Sequence, residues 1–390
     1  MTEDFKARLK AYEKGELEQE EKLRMEAEFE KLEIYQAYLD ELMGEETRVS
    51  VQYSQRHQGE SGKSSKTAKE YRILRRGKWK MRWNTLLTMF SLFIIVWFVT
   101  YVVSVIYYST GKPNRAELIR DVVSSAVAVT QPNRTVNMNE GSSWFSLQIS
   151  GELSKRIGSE SKITGEMTQH FLFSWARTGE DTSFEDQPQA RGGLFCLPGK
   201  GPYDYSEVWS KLDKLPEGTV TEAYLSLDRY FSTDELLALF KGRDVDVVWM
   251  AARTGQEGAS AEGDSEVQQP MGFPATPIWH EDDYTIISRQ VTDKGTAVSR
   301  RSPSVDVYGS GKIRNENFLK TLKLIGQHPS MVRLTAPSVD FKAAANYVEK
   351  NGVQLYGVVI TGPTKEILKL KQEKWISFVR LGESELWNWR

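Results

Sequence analysis

The sequence predicts a three-part membrane protein: an α cytoplasmic helical head, one transmembrane helix, and an α+β extracytoplasmic domain with a mixed or antiparallel sheet. Three observations predict it. Residues 1–47 are strongly acidic and residues 48–83 strongly basic, one uncharged apolar run interrupts the chain, and beyond that run strand-like and helix-like segments alternate. At 390 residues the chain exceeds one ordinary domain. Boundaries fall where its character changes: a head over 1–47, a basic linker and juxtamembrane neck over 48–83, the span over 84–109, a membrane-proximal lobe over 110–200, and a larger α+β domain over 201–390.

The head carries fifteen acidic against seven basic residues, and the neck eleven basic against two acidic, within a formal net charge of only -2. An acidic head on a basic neck is a membrane-side arrangement rather than a nucleic-acid-binding surface. Phe5, Leu9 and Tyr12 share one face of a short helix that Gly15 interrupts. A second helix, from Glu16 to Met43, gathers Met25, Phe29, Leu32, Tyr35, Leu39 and Leu42 into one stripe, with Glu26, Glu30, Glu33 and Glu41 opposite. Two such short helices cannot bury both stripes well. Some of this apolar surface, Leu17 at the start of the second helix included, should therefore await a partner in a helix-in-groove mode. A solvated helix or a short homodimeric coiled coil is the alternative. Val49–Lys69 is polar and Gly/Ser-containing, a linker that cannot fold alone.

No charged residue occurs between Arg82 and Lys112. Within that window Leu86–Tyr107 is long enough to rise about 33 Å as a helix, sufficient for a hydrocarbon core of about 30 Å. Trp79 and Trp83 flank one end and Tyr107 and Tyr108 the other, as interfacial aromatics do. Arg72, Arg75, Arg76, Lys78, Lys80 and Arg82 precede the run, while Lys112 and Arg115 follow it, which places the N-terminus in the cytoplasm. The run is too long and too far along the chain for a cleaved signal peptide. With only Thr, Ser and Tyr as polar members it reads as a tether rather than a transport path.

Beyond the span, Thr219–Leu227 has strand character, Ser232-Thr233-Asp234-Glu235 opens a helix with a capping box, and Val245–Ala252 is an apolar strand, together a β-α-β unit. Further along, Phe318–Ile325 is expected as a helix, Phe341–Lys350 as a helix closed by Asn351-Gly352, and Val353–Ile360 as a strand. A last helix near Pro363 leads to strand Trp375–Leu381. Val122–Ser150 and Thr164–Ala176 alternate in places and are expected to hold strands, whereas Asp181–Gly193 and Gly255–Pro270 read as loops.

Residues that carry chemistry are sparse. His57, His170, His280 and His328 are scattered without metal spacing, and no nucleophile elbow or phosphate loop is present. No catalytic residue, metal ligand or cofactor site is assigned, and the chain is not expected to be an enzyme. Glu281-Asp282-Asp283 reads as a solvated acidic turn, with a cation site as the rarer alternative. The single cysteine, Cys196, reads as a buried small hydrophobe and fits a compartment in which disulfides are not relied on.

Asp4–Leu42 resembles the N-terminal domain of the sigma-factor regulator family, membrane-bound anti-sigma factors of Gram-positive bacteria, through Tyr12–Leu17, the acidic helix start and Phe29 to Leu39. Val220–Leu227 and Ser232–Leu237 resemble that family's C-terminal domain. The head is also similar in layout to zinc-containing anti-sigma domains, whose ligand register would fall on Glu28, Leu32 and Tyr35. Leucine and tyrosine cannot supply the required thiolates, so the head should be a zinc-free version held by apolar packing. The resemblance implies an anti-sigma factor that sequesters an extracytoplasmic-function-type sigma factor through residues 1–47 and releases it on an envelope-stress signal. Its partners would be the sigma factor and the lipid bilayer, with a second small membrane protein as an open addition and no direct nucleic acid. Phe5, Leu9, Tyr12, Leu17, Met25, Phe29, Leu32, Tyr35, Leu39 and Leu42 are the candidates for sigma contact or head packing. An anchored envelope structural protein with a dimerising head, or an anchored extracellular binding or hydrolytic module, are the alternatives.

Overall fold

The computed structural model describes residues 64–390 apart from 144, 185–192, 200–204, 259–265, 293, 294 and 390, with the backbone only at 64–80, 142, 143, 292 and 295–297. The head and its ten candidate residues lie outside the described residues. A continuous helix, α1 (Ser64–Ser109), joins the end of the expected linker to the apolar run. Its helical start at Ser64 differs from the linker expected through Lys69, because extending a helix that already exists costs far less than nucleating one. The stretch long and apolar enough to cross a membrane is Met81–Ser109, 29 residues. Its large apolar side chains from Met81 to Ile106 are mostly exposed in the isolated chain, as a lipid-facing surface requires.

After the anchor comes helix α2 (Arg115–Thr130), which buries Ile119, Val122, Val123, Ala126 and Val127. Strand character was expected from Val122 onward, and this is a correction. The three- and four-residue spacing of the buried positions outweighs the β preference of valine, and Asn114 and Glu117 close a capping box at the helix start. An antiparallel meander follows: β1 (Arg134–Ser143), β2 (Ser146–Ile157), β3 (Glu160–Leu172) and β4 (Trp175–Ser183). Strands were expected over Thr164–Ala176, and β3 and the start of β4 lie there, turning back at residues 173 and 174, while β4 extends to Ser183, into the loop expected from Asp181.

The second sheet has the order β13-β6-β12-β7-β9, every neighbouring pair antiparallel. Its strands are β6 (Thr219–Phe231), β7 (Asp246–Ala252), β9 (Gly272–Pro274), β12 (Leu355–Pro363) and β13 (Ile376–Leu386). Helix α4 (Thr233–Phe240) joins β6 to β7, with Ser232 and Glu235 forming the expected capping box, after a short α3 (Ser206–Asp213). Because β6 and β7 each run antiparallel to β12, they run parallel to one another with β12 between them. The expected β-α-β unit is therefore a split one, in the strand order of ferredoxin-like sheets. All nine residues of β12 are buried, as a central strand demands.

Between β7 and β12 lie a hairpin of β10 (Thr285–Thr292) and β11 (Gly295–Arg301), then helices α5 (Lys312–Gln327), α6 (Pro329–Val332) and α7 (Phe341–Asn351). Gly352 ends α7 at φ +75°, where its missing Cβ is needed. A two-residue pairing of β5 (Phe195–Cys196) with β8 (Glu266–Val267) covers one face of the second sheet, and Cys196 is buried there. Helix α8 (Thr364–Lys369) precedes β13. One apolar core joins α2 and the meander to the second sheet.

Candidate functional site

The described residues place chemistry at three positions, all within residues 94–390. The first is the distal end of the anchor. Two turns of the meander, between β1 and β2 and between β3 and β4, close around the last turns of α1. Phe145 N–H donates to Ser104 Oγ at 2.8 Å. Tyr108 OH donates to the Phe145 carbonyl at 2.9 Å and to the Phe173 carbonyl at 3.3 Å. The hydroxyls of Tyr107 and Ser174 lie 2.9 Å apart, and the rings of Tyr107 and Phe173 meet edge-on at 4.9 Å. Ser104 and Tyr108 are consequently buried. Of the four aromatics proposed for the membrane interface, Tyr107 and Tyr108 are thus held by protein, Trp83 is exposed, and the side chain of Trp79 lies outside the described residues.

The second position is a buried polar junction between the two sheets. Glu222, on β6, is wholly buried, and Lys155, on β2, nearly so, with Nζ 2.9 Å from Glu222 Oε2. Asn133 Nδ2 donates to Glu222 Oε1 at 2.7 Å and Tyr224 OH to the same oxygen at 3.0 Å. Burial pushes the Glu222 carboxyl up, while the Lys155 ammonium and the two hydrogen bonds pull it back. Alongside it, Arg156 pairs with Asp246 at 2.5 Å and Gly158 N–H donates to Thr361 Oγ1 at 2.7 Å. Neither Lys155 nor Glu222 was singled out from the sequence. The available signal was an acidic residue inside the apolar run Val220–Leu227.

The third position is a groove of about 670 Å³ beside the exit of the anchor, floored by Leu118, Leu319 and Leu324 and edged by Lys112, Asp121 and Lys320. His280 closes it, with Nδ1 at 2.9 Å from Asp121 Oδ2 and Nε2 at 2.8 Å from Thr321 Oγ1. A carboxylate, an imidazole and a hydroxyl stand in line, yet Thr321 is fully buried, so no reacting carbonyl can reach it. The line ties α2 to α5 instead. Glu281-Asp282-Asp283 forms a 3-10 turn whose acids are taken up by cations: Lys320 lies 2.7 Å from Asp282 and 2.5 Å from Asp283, and Arg300 grips Glu281. The Lys320 hydrogen bond holds the Asp282 carboxyl below its ordinary range. Among the described residues no group of three or more His, Cys, Asp or Glu is placed to hold a metal ion.

Comparison with known proteins gives two family matches in chain order. A family model described as sigma factor regulator N-terminal matches residues 71–162, and one described as sigma factor regulator C-terminal matches residues 212–383. A protein of Bacillus subtilis (strain 168), called "Probable anti-sigma-M factor YhdL", is 28% identical over 398 residues, covering 100% of each chain. No solved structure matches. The C-terminal match contains both motifs on which that resemblance was read. The N-terminal match runs over the end of the neck, the anchor, α2 and the meander as far as the start of β3, and not over Asp4–Leu42, on which the N-terminal resemblance was read.

Proposed function

We infer that this chain, which belongs to the sigma-factor regulator family, is an anti-sigma factor that holds an extracytoplasmic-function-type sigma factor at the membrane through residues 1–47. The single observation that carries the reading is the end-to-end alignment with the anti-sigma-M relative, which includes the head. The family is regulatory rather than catalytic, and the Asp121–His280–Thr321 line ends on a buried hydroxyl.

The proposed mechanism is occlusion plus tethering. Apolar faces of the head supply affinity for the sigma factor, and its acidic faces complement a basic, DNA-binding partner. The outer domain would receive the envelope signal and pass it through the anchor that its two turns grip. The basic flank ahead of the span supports an inside head and an outside C-terminal domain. Reporter fusions at residue 60 and residue 390 should therefore report opposite sides of the membrane. A cytoplasmic signal at residue 390 would overturn this architecture.

The zinc-free reading of the head has its own test. Leu32 and Tyr35 stand where thiolates would be needed. The purified chain should carry no stoichiometric zinc, and its helical circular dichroism should be unchanged by chelator. A fall in helicity on chelation would show that a metal, and not apolar packing, holds the head.

A further inference from the structure

The geometry points to a second membrane contact: we propose that the β1–β2 and β3–β4 turns form a foot that rests in the interfacial layer of an anionic phospholipid bilayer, led by Phe173 and Trp175. The proposal rests on reading Met81–Ser109 as membrane-spanning, and three observations carry it.

The first is depth. Twenty-nine helical residues, Met81–Ser109, rise about 44 Å, which matches the hydrocarbon core together with its headgroup layers. About 7 Å at each end, the last turn from Val105 onward, then lies at headgroup level, with Ser104 at its inner edge. Ser104, Tyr107 and Tyr108 are the residues bonded to Phe145, Phe173 and Ser174. The two turns must therefore share that level.

The second is what the foot exposes. Leu172 is 38% exposed, Phe173 37% and Trp175 57%, a contiguous apolar and aromatic patch beside the gripped helix end. Cations interleave with it. Arg115 lies over the Tyr107 ring at 4.1 Å and Arg333 over the Trp175 ring at 5.4 Å. Aromatic rings with arginines beside them suit a surface where acyl chain gives way to phosphate.

The third is backbone strain. Phe145 and Phe173 both sit at left-handed φ, +59° and +55°, where glycine or asparagine is at ease and a bulky side chain is an outlier. Both turns thus hold a phenylalanine against its backbone preference, and the two rings stand 5.6 Å apart. Strain kept at one spot in two separate turns marks side chains retained for what they touch.

The test uses the full chain in vesicles of phosphatidylcholine and phosphatidylglycerol with brominated acyl chains. Leu172→Cys and Thr182→Cys are labelled with an environment-sensitive dye, and the wild-type chain, whose lone Cys196 is buried, sets the blank. Position 182 lies about 24 Å along β4 from Trp175. The label at position 172 should be quenched at least about threefold more than that at 182, and replacing phosphatidylglycerol by phosphatidylcholine should reduce the difference. Phe173→Asn, which suits the left-handed backbone, should keep the fold by circular dichroism yet lower the quenching at 172. Equal quenching at both positions would overturn the proposal. So would a label at 172 that is shielded from aqueous iodide but untouched by brominated lipid, since a second copy of the chain would then cover the patch. Flotation with the vesicles checks the anchor itself: a chain that does not float removes the anchor reading and the foot together, whereas a floating chain without quenching removes only the foot.

Discussion

Replacing Phe29 or Leu32 by aspartate is expected to weaken capture of the sigma factor by at least tenfold. Both residues fall in the stripe that also contains Met25, Tyr35 and Leu39. Fully burying one such side chain contributes roughly 1.5–3 kcal/mol, and about 1.4 kcal/mol is one decade in affinity. An aspartate in the same place would also carry a charge into the interface, which adds to the loss. In cells, either variant should raise sigma-dependent transcription. Helicity must be followed in parallel, because an unfolded head would give the same phenotype. Glu30→Ala, on the opposite face, should change capture little. Well-folded Phe29 and Leu32 variants that leave transcription at the wild-type level would favour a head that only dimerises.

The second large effect is expected at the buried junction. Lys155→Met leaves the Glu222 carboxylate fully buried without its cation, and removing one partner of such a pair costs about 3–5 kcal/mol. Denaturant unfolding of the chain in detergent should show that loss in the outer-domain transition. The double variant Lys155→Met, Glu222→Gln should recover much of it, because Glu222 then leaves no unpaired charge at the junction. Asn133 and Tyr224 can still hydrogen-bond the amide oxygen. A single variant as stable as the wild type would mean that water reaches Glu222 and that the two sheets are not joined as described.

What could be read from the sequence was local, and what escaped it was long-range. The Ser232–Glu235 capping box and the Asn351-Gly352 stop are signals within one turn of chain, and both α4 and α7 obey them. Val122–Thr130 was misread because valine suits a strand, although Asn114-x-x-Glu117 already announced a helix. The separation of β6 from β7 could not be read, since the strand that parts them begins more than a hundred residues after β7. The same reason hid the Lys155–Glu222 pair, whose members lie on different sheets. Tyr107 and Tyr108 were legible as aromatics at the end of a span. That protein turns grip them depends on Phe145 and Phe173, brought there by the meander. The sigma-contact candidates of the head lie outside the described residues and stand as a proposal.

The central claim is tested most directly by capture. The affinity-tagged full chain, extracted from membranes, is compared with a chain lacking residues 1–47, and the proteins that co-purify are identified. The account predicts a sigma factor with the full chain and none with the truncated one. Recovery of a second copy of the chain through residues 1–47 with no sigma factor, or of a sigma factor equally with both forms, would contradict it.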